Sequence, residues 1–171
     1  MDIEYENFVG LKFKGTISPL CVKLFKRRWY VLALVYDNRY RIFSLDRVTS
    51  LDIAGEKFEY PNDFSPADYF RDVYGIIAGV ERKVQNIHIR AYAELPGYLR
   101  SLPLHPTQHE LETNDGHTDF ILRLVPTFDF IQELLLHRDQ IEVLSPLSLR
   151  TEISDLITKM KNRYEDSYIK K

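Results

Sequence analysis

Between Thr16 and Val48 the chain reads TISPLCVKLFKRRWYVLALVYDNRYRIFSLDRV. Two apolar, aromatic-rich runs, Trp29 to Tyr36 and Tyr40 to Leu45, flank the polar pair Asp37-Asn38. β-Branched and aromatic residues on both sides of such a turn predict a β-hairpin. A lone hairpin is marginal in water, so the rest of the chain must supply a sheet for it. The same stretch is basic: Lys12 to Arg47 holds nine Lys and Arg against Asp37 and Asp46, a local charge of +7. The whole chain is formally −2, so the remainder carries −9. A basic, ring-bearing sheet inside a mildly acidic protein predicts a localised anion site without identifying the anion.

Further strands are predicted on both sides of the hairpin. Ile3-Glu4-Tyr5 and Leu11 to Lys14 alternate apolar and polar residues around Gly10, which reads as a strand pair. Thr16 to Phe25 reads as another strand, broken at Ser18-Pro19, with Pro19 at an edge or bend because proline cannot donate to a ladder. About five short strands in the first third of the chain favour a small closed or partly closed barrel of SH3 or Sm size. Ser65-Pro66 fits a helix start, predicting a helix from Pro66 to Val73 that ends at Gly75. Phe64, Tyr69 and Phe70 should tie it to the barrel. This segment is expected to close a first domain, 1–79, ahead of a second, 80–171.

The second domain reads as strand, helix, strand, strand, helix, strand, helix. Val84 to Ala93 turns Ile87, Ile89 and Ala91 one way and His88, Arg90 and Tyr92 the other. A short helix or turn at Pro96 to Ser101 follows. Gln108 to Thr113 and Thr118 to Val125 form a hairpin across Asn114-Asp115-Gly116, a strong turn signal. A helix over Pro126 to His137, a strand over Ile141 to Leu144 and an amphipathic helix over Leu147 to Tyr164 complete the unit. The fold class is α+β: a small Sm/SH3-like β-barrel followed by a ferredoxin-like α+β sandwich. The aliphatic stripe of the last helix is core first and dimer surface second, and the charged C-terminal tail is expected to fray.

Several classes of function find no footing. With 44% hydrophobic residues the chain can bury a core, yet an apolar run such as Tyr30 to Tyr36 is far short of a membrane span. The start, MDIEYENF, has neither the basic end nor the apolar middle of a secretory signal. Cys21 is the only cysteine, which fits a reducing cytoplasm and a small residue in a strand better than a nucleophile. His105 and His109 have zinc spacing for a helix, but Pro106 between them disfavours that helix, and a structural bend is expected instead. No glycine-rich phosphate loop, nucleophile elbow or paired-carboxylate arrangement is evident, so no enzyme, metal or cofactor is expected.

At Arg28-Trp29-Tyr30-Val31, followed by Arg41-Ile42-Phe43-Ser44-Leu45-Asp46-Arg47-Val48, the chain resembles the WYL domain family of bacterial transcription regulators. FSPADYFRDVYGI is similar to the segment closing that barrel. PLHPTQ (Pro103 to Gln108), VLSPLSLR (Val143 to Arg150) and Met160 to Tyr164 are similar to the family's C-terminal extension, WCX. The resemblance implies an Sm-like barrel that senses a nucleotide or short single-stranded nucleic acid, and a WCX unit that assists regulation and homodimer contacts. In such regulators a winged helix-turn-helix usually precedes both and binds the operator DNA. This sequence starts at the first barrel strand, so the expectation is either a piece of a longer regulator or a stand-alone sensor. Two positions depart from the pattern: Val31 replaces the Leu of the signature, and Leu20 follows Pro19 where relatives often carry Tyr.

The candidate ligand site follows. Arg39, Arg41 and Arg47, with Lys23 from a neighbouring strand, are expected to meet phosphate oxygens through bidentate, always-charged donors. Trp29 and Tyr30 could stack on bases, although a lone Trp in an apolar run more often anchors a core. Ser18 and Ser44 are minor polar candidates. Alternation places the three arginines on one side of the sheet, with Ser44 opposite unless a bulge intervenes. A rival reading is a protein-interaction or dimerisation module without a small ligand.

Overall fold

A computed structural model describes residues 1–36, 38–55, 57–78 and 83–166. Asp37 of the expected hairpin turn, the expected domain boundary at 79/80 and the end of the charged tail, 167–171, lie outside the described residues. The protein is α+β, with two antiparallel sheets in two compact units, Met1–Arg71 and Asp72–Lys171.

The first unit holds β1 (Asp2–Glu6), β2 (Lys12–Phe25), β3 (Arg28–Val35), β4 (Tyr40–Ser44) and β5 (Val48–Asp52), in the sheet order β4-β3-β2-β1-β5. The hairpin that dominates the sequence is β3 and β4, paired from Tyr30↔Ser44 to Leu34↔Tyr40. The strand pair around Gly10 is β1 and β2, and Gly10 takes the positive φ of +79° that its turn requires. Thr16 to Phe25 is not broken. It is part of a continuous 14-residue β2, whose register shifts between Pro19 and Cys21, so the missing proline donor is absorbed as a bulge. Ile3, Ile17, Val31, Ala33, Val35 and Phe43 form the core of this unit. Among the described residues no pairing joins β4 to β5, so the sheet stays open.

A short α1 (Pro66–Phe70) starts as expected, with the Ser65 hydroxyl accepting from the Asp68 N–H at 3.3 Å. It ends earlier than expected, because Val73 bridges Val125 and so belongs to the second unit. Tyr40 stacks on Phe64 at 5.4 Å and lies 5.3 Å from Tyr69, and the Lys23 ammonium sits 4.0 Å from the centre of Phe70. The aromatic segment is thereby fastened to one face of the sheet.

The second unit runs β6 (Gln85–Tyr92), α2 (Leu95–Ser101), β7 (His109–Asn114), β8 (His117–Leu124), α3 (Phe128–Leu136), β9 (Ile141–Ser145) and α4 (Leu147–Asp166). Its sheet order is β7-β8-β6-β9. Alternation along β6 holds: Ile87, Ile89 and Ala91 are fully buried, packed with Phe120, Leu122 and Leu124 from β8 and with Leu99, Phe130, Leu134 and Leu149 from the helices. Gly116 turns the β7–β8 hairpin with φ +89°. The stripe of α4 is core at Leu149, with Ile153 and Leu156 packed against it, and is exposed at Ile157 and Met160. His105 is buried, and its Nδ1 lies 2.8 Å from the Thr107 hydroxyl. Among the described residues no helix is long and apolar enough to cross a membrane.

Candidate functional site

The basic strands carry their cations onto aromatic faces. Arg41 pairs with Ala33 across β3–β4 and so shares the face of Val31 and Phe43. Its guanidinium lies 4.8 Å from the centre of Phe13 and 5.3 Å from that of Phe43. Tyr5, opposite Phe13 on β1, meets Phe43 edge-on at 5.2 Å. Arg47 reaches the other side of this cluster, with a terminal nitrogen 3.5 Å from the Tyr5 hydroxyl and its guanidinium 3.6 Å from the centre of Phe8. Arg28 also approaches Phe8, at 5.5 Å. Cations over ring faces are held by the ring quadrupole, a contact worth about 0.5–2 kcal/mol.

Each part has a local cause. The β1–β2 loop is ordered by the Asn7 side chain, which accepts from the Val9 and Leu11 N–H groups at 3.0 and 2.9 Å. That loop presents Phe8, which is 75% exposed. Leu45–Arg47 is a 3-10 turn rather than a strand, so the strand alternation expected across Arg41 to Arg47 does not apply. The turn itself swings Arg47 onto the rings. Ser44 donates its hydroxyl to Asp46, and Arg28 lies 3.4 Å from the same carboxylate. These two donors, the hydroxyl first, hold Asp46 below the usual carboxylate range. Asp46 thus pairs with Arg28 and also feels the charge of Arg47, while aromatic faces contact Arg41 and Arg47.

The remaining candidates stand elsewhere. Lys23, Tyr30 and Ser44 face one another across β2, β3 and β4, on the face opposite Arg41 and beneath the aromatic segment that carries Phe70. Ser18 lines a cavity of about 410 Å³ together with Thr16 and Lys57. Arg39 is exposed in the β3–β4 loop. Trp29 is no core anchor. It is 52% exposed beside the equally exposed Leu24, its cross-strand partner, because the end of this hairpin extends past the buried cluster. Val31 and Leu20, the two departures from the family pattern, are both buried, and Tyr60 donates to the Leu20 carbonyl at 3.2 Å. The eight residues are therefore not one constellation: Arg41 and Arg47 share a ring cluster that Lys23 does not join. Sequence reasoning missed Phe8, Phe13 and Tyr5. The available signal was Phe8-Val9, apolar residues placed in a turn beside Gly10, where polar ones are usual.

Residues 1–53 match the WYL domain and residues 83–161 match the WCX domain. The chain carries a WYL domain followed by a WCX domain. The ring-and-arginine cluster lies within the WYL match. No curated protein matches the chain. Among solved structures the chain is similar to proteasome accessory factor B/C (PafBC) of Arthrobacter aurescens, at 16% identity and a TM-score of 0.37. That match covers 89% of this chain and 23% of the other, so the WYL–WCX chain spans about a quarter of that protein's length.

Proposed function

We propose that this WYL–WCX chain is the ligand-sensing portion of a bacterial transcriptional regulator, non-enzymatic and cytoplasmic, whose basic WYL face takes a nucleotide or short single-stranded nucleic acid. The WYL strand order, with a 3-10 turn before β5, is consistent with a partly open Sm-like barrel. The WCX order β9-β6-β8-β7 is consistent with a ferredoxin-like layout. The observation that carries the reading is the placement of Arg41 and Arg47 on aromatic faces, with no carboxylate in ion-pair contact with either among the described residues and Asp46 acting on Arg47 only through its field. Guanidinium groups held this way keep donors for phosphate oxygens, and exposed Phe8 and Trp29 offer surfaces on which bases stack. Ligand that favours one arrangement of the two domains over another shifts their population, and a DNA-binding domain, fused or separate, reads the change.

Fluorescence anisotropy with labelled short single-stranded oligonucleotides tests this. With about three phosphate contacts, the log-log dependence of affinity on salt should have a slope near about −2. Replacing Arg41 and Arg47 with Ala should flatten that slope, whereas tight binding indifferent to salt overturns the reading. The exposed apolar row Val22, Leu24 and Trp29 favours a second reading, a dimerisation or docking module. Under that reading oligonucleotides fail to bind even at low salt while gel filtration still shows a dimer.

A further inference from the structure

The WCX domain holds a cleft that the nucleic-acid reading does not use. It has a volume of about 770 Å³, within the range of small-molecule sites, and lies between α2 and the C-terminal end of α3. Leu95, Leu99, Leu102 and Leu136 supply the apolar part of its lining, and Leu102 and Leu136 are well exposed. Its polar lining includes two carboxylates. Glu133 projects from α3 beside Tyr74, and Glu94 stands at the start of α2.

Three features set the sign of the charge that suits this cleft. Two carboxylates line it, and the last turn of α3 adds the negative end of a helix dipole. His137 lies 3.8 Å from Glu133, too far for a hydrogen bond, and burial pushes its imidazole below the ordinary histidine value, which disfavours its charged form. Arg138 is the one lining cation among the described residues, and it borders a second cleft as well, which places it on the ridge between the two. A cleft with leucine side chains and two carboxylates in its lining matches a ligand that has a hydrophobic body and one positive end.

We propose that this cleft binds a small organic amine, its apolar body against the leucine walls and its protonated nitrogen toward Glu133. The site is separate from the arginine cluster of the WYL domain and makes the WCX domain a second sensor.

Calorimetric titration of the full chain with tryptamine, tryptophol and indole-3-propionate tests the proposal, since the three share one ring system and differ in head-group charge. Tryptamine should bind with a Kd of about 1 mM or tighter, and the alcohol and the acid about tenfold more weakly. Amide shifts induced by tryptamine should fall on 94–104 and 133–140. Glu133→Gln and Glu94→Gln should each weaken tryptamine several-fold and leave tryptophol unchanged. Glu94 makes no side-chain cap hydrogen bond to α2, so its exchange tests the charge even if the Glu133 variant folds poorly. Arg41→Ala should leave tryptamine binding intact, which separates this site from the nucleic-acid reading. Equal binding of the three probes, no binding of tryptamine, shifts confined to other residues, or parental affinity in both glutamine variants would each overturn the proposal.

Discussion

Lys26 and Arg27 join β2 to β3 with φ of +45° and +66°. Two consecutive residues at positive φ, between the paired Phe25 and Arg28, make a two-residue turn of the kind that favours Asn-Gly. No glycine marks it, so the sequence shows only a basic run where the chain in fact reverses. Non-glycine residues in the left-handed region cost about 1–2 kcal/mol each, because Cβ crowds the neighbouring carbonyl. The double exchange Lys26→Asn with Arg27→Gly should therefore raise stability by about 1 kcal/mol or more, read as a higher urea midpoint at unchanged slope. Trp29 teaches the same lesson at the next position but one. Its type and its apolar neighbours point inward, and only the length of the hairpin beyond the core leaves it half exposed.

The segment after α1 shows how one glycine decides where an element belongs. Sequence rules run a helix to Val73 and stop it at Gly75. Instead the Val125 N–H donates to the Asp72 carbonyl at 2.7 Å, and the Ile76 and Ile77 N–H groups donate to the Asp129 carboxylate at 2.9 and 3.1 Å. The stretch is thus a strap tied to α3 of the WCX domain. Gly75 is needed for close approach, since a Cβ there would run into the Asp129 carboxylate. Asp129 is buried, so its carboxylate relies on protein donors. Gly75→Ala should cost about 1.5–3 kcal/mol, the loss of hydrogen bonds to a charged acceptor. Thermal unfolding together with faster amide exchange at Ile76 and Ile77 would check it; an unshifted melting curve would show that the strap can give way freely.

Across the whole molecule, acid should unfold what neutral pH holds. Arg90 donates two hydrogen bonds to Asp119, at 2.7 and 2.9 Å, and His88 lies 3.1 Å away, so the Asp119 carboxyl stays below its ordinary range. Tyr92 and Arg150 do the same for Glu142, and Arg100 brings Glu110 down to about 2. A carboxyl whose folded pKa is depressed contributes stability above its unfolded value, and that contribution disappears as pH falls toward the folded value. Melting temperature should hold steady near neutrality and drop below about pH 4. Asp119→Asn should cost about 1.5–3 kcal/mol at pH 7 and make the acid drop shallower. A parallel pH profile in that variant would remove Asp119 from the explanation. Most elements of both sheets were legible in the sequence because they rest on local information. Alternation at Ile87, Ile89 and Ala91 reports burial within one strand, and Asp115-Gly116 or Ser65-Pro66 specify turns and caps through backbone chemistry over a few residues. The local excess of positive charge between Lys12 and Arg47 was equally plain. Which cations share a ring cluster was decided by tertiary structure alone. A bulge at Pro19, a 3-10 turn at Leu45–Arg47 and a loop ordered by Asn7 each reset the geometry that simple alternation assumes. Contacts among Arg41, Phe43, Tyr5, Arg47 and Phe8 join residues far apart in the chain, and only the folded sheet with its loops brings them together.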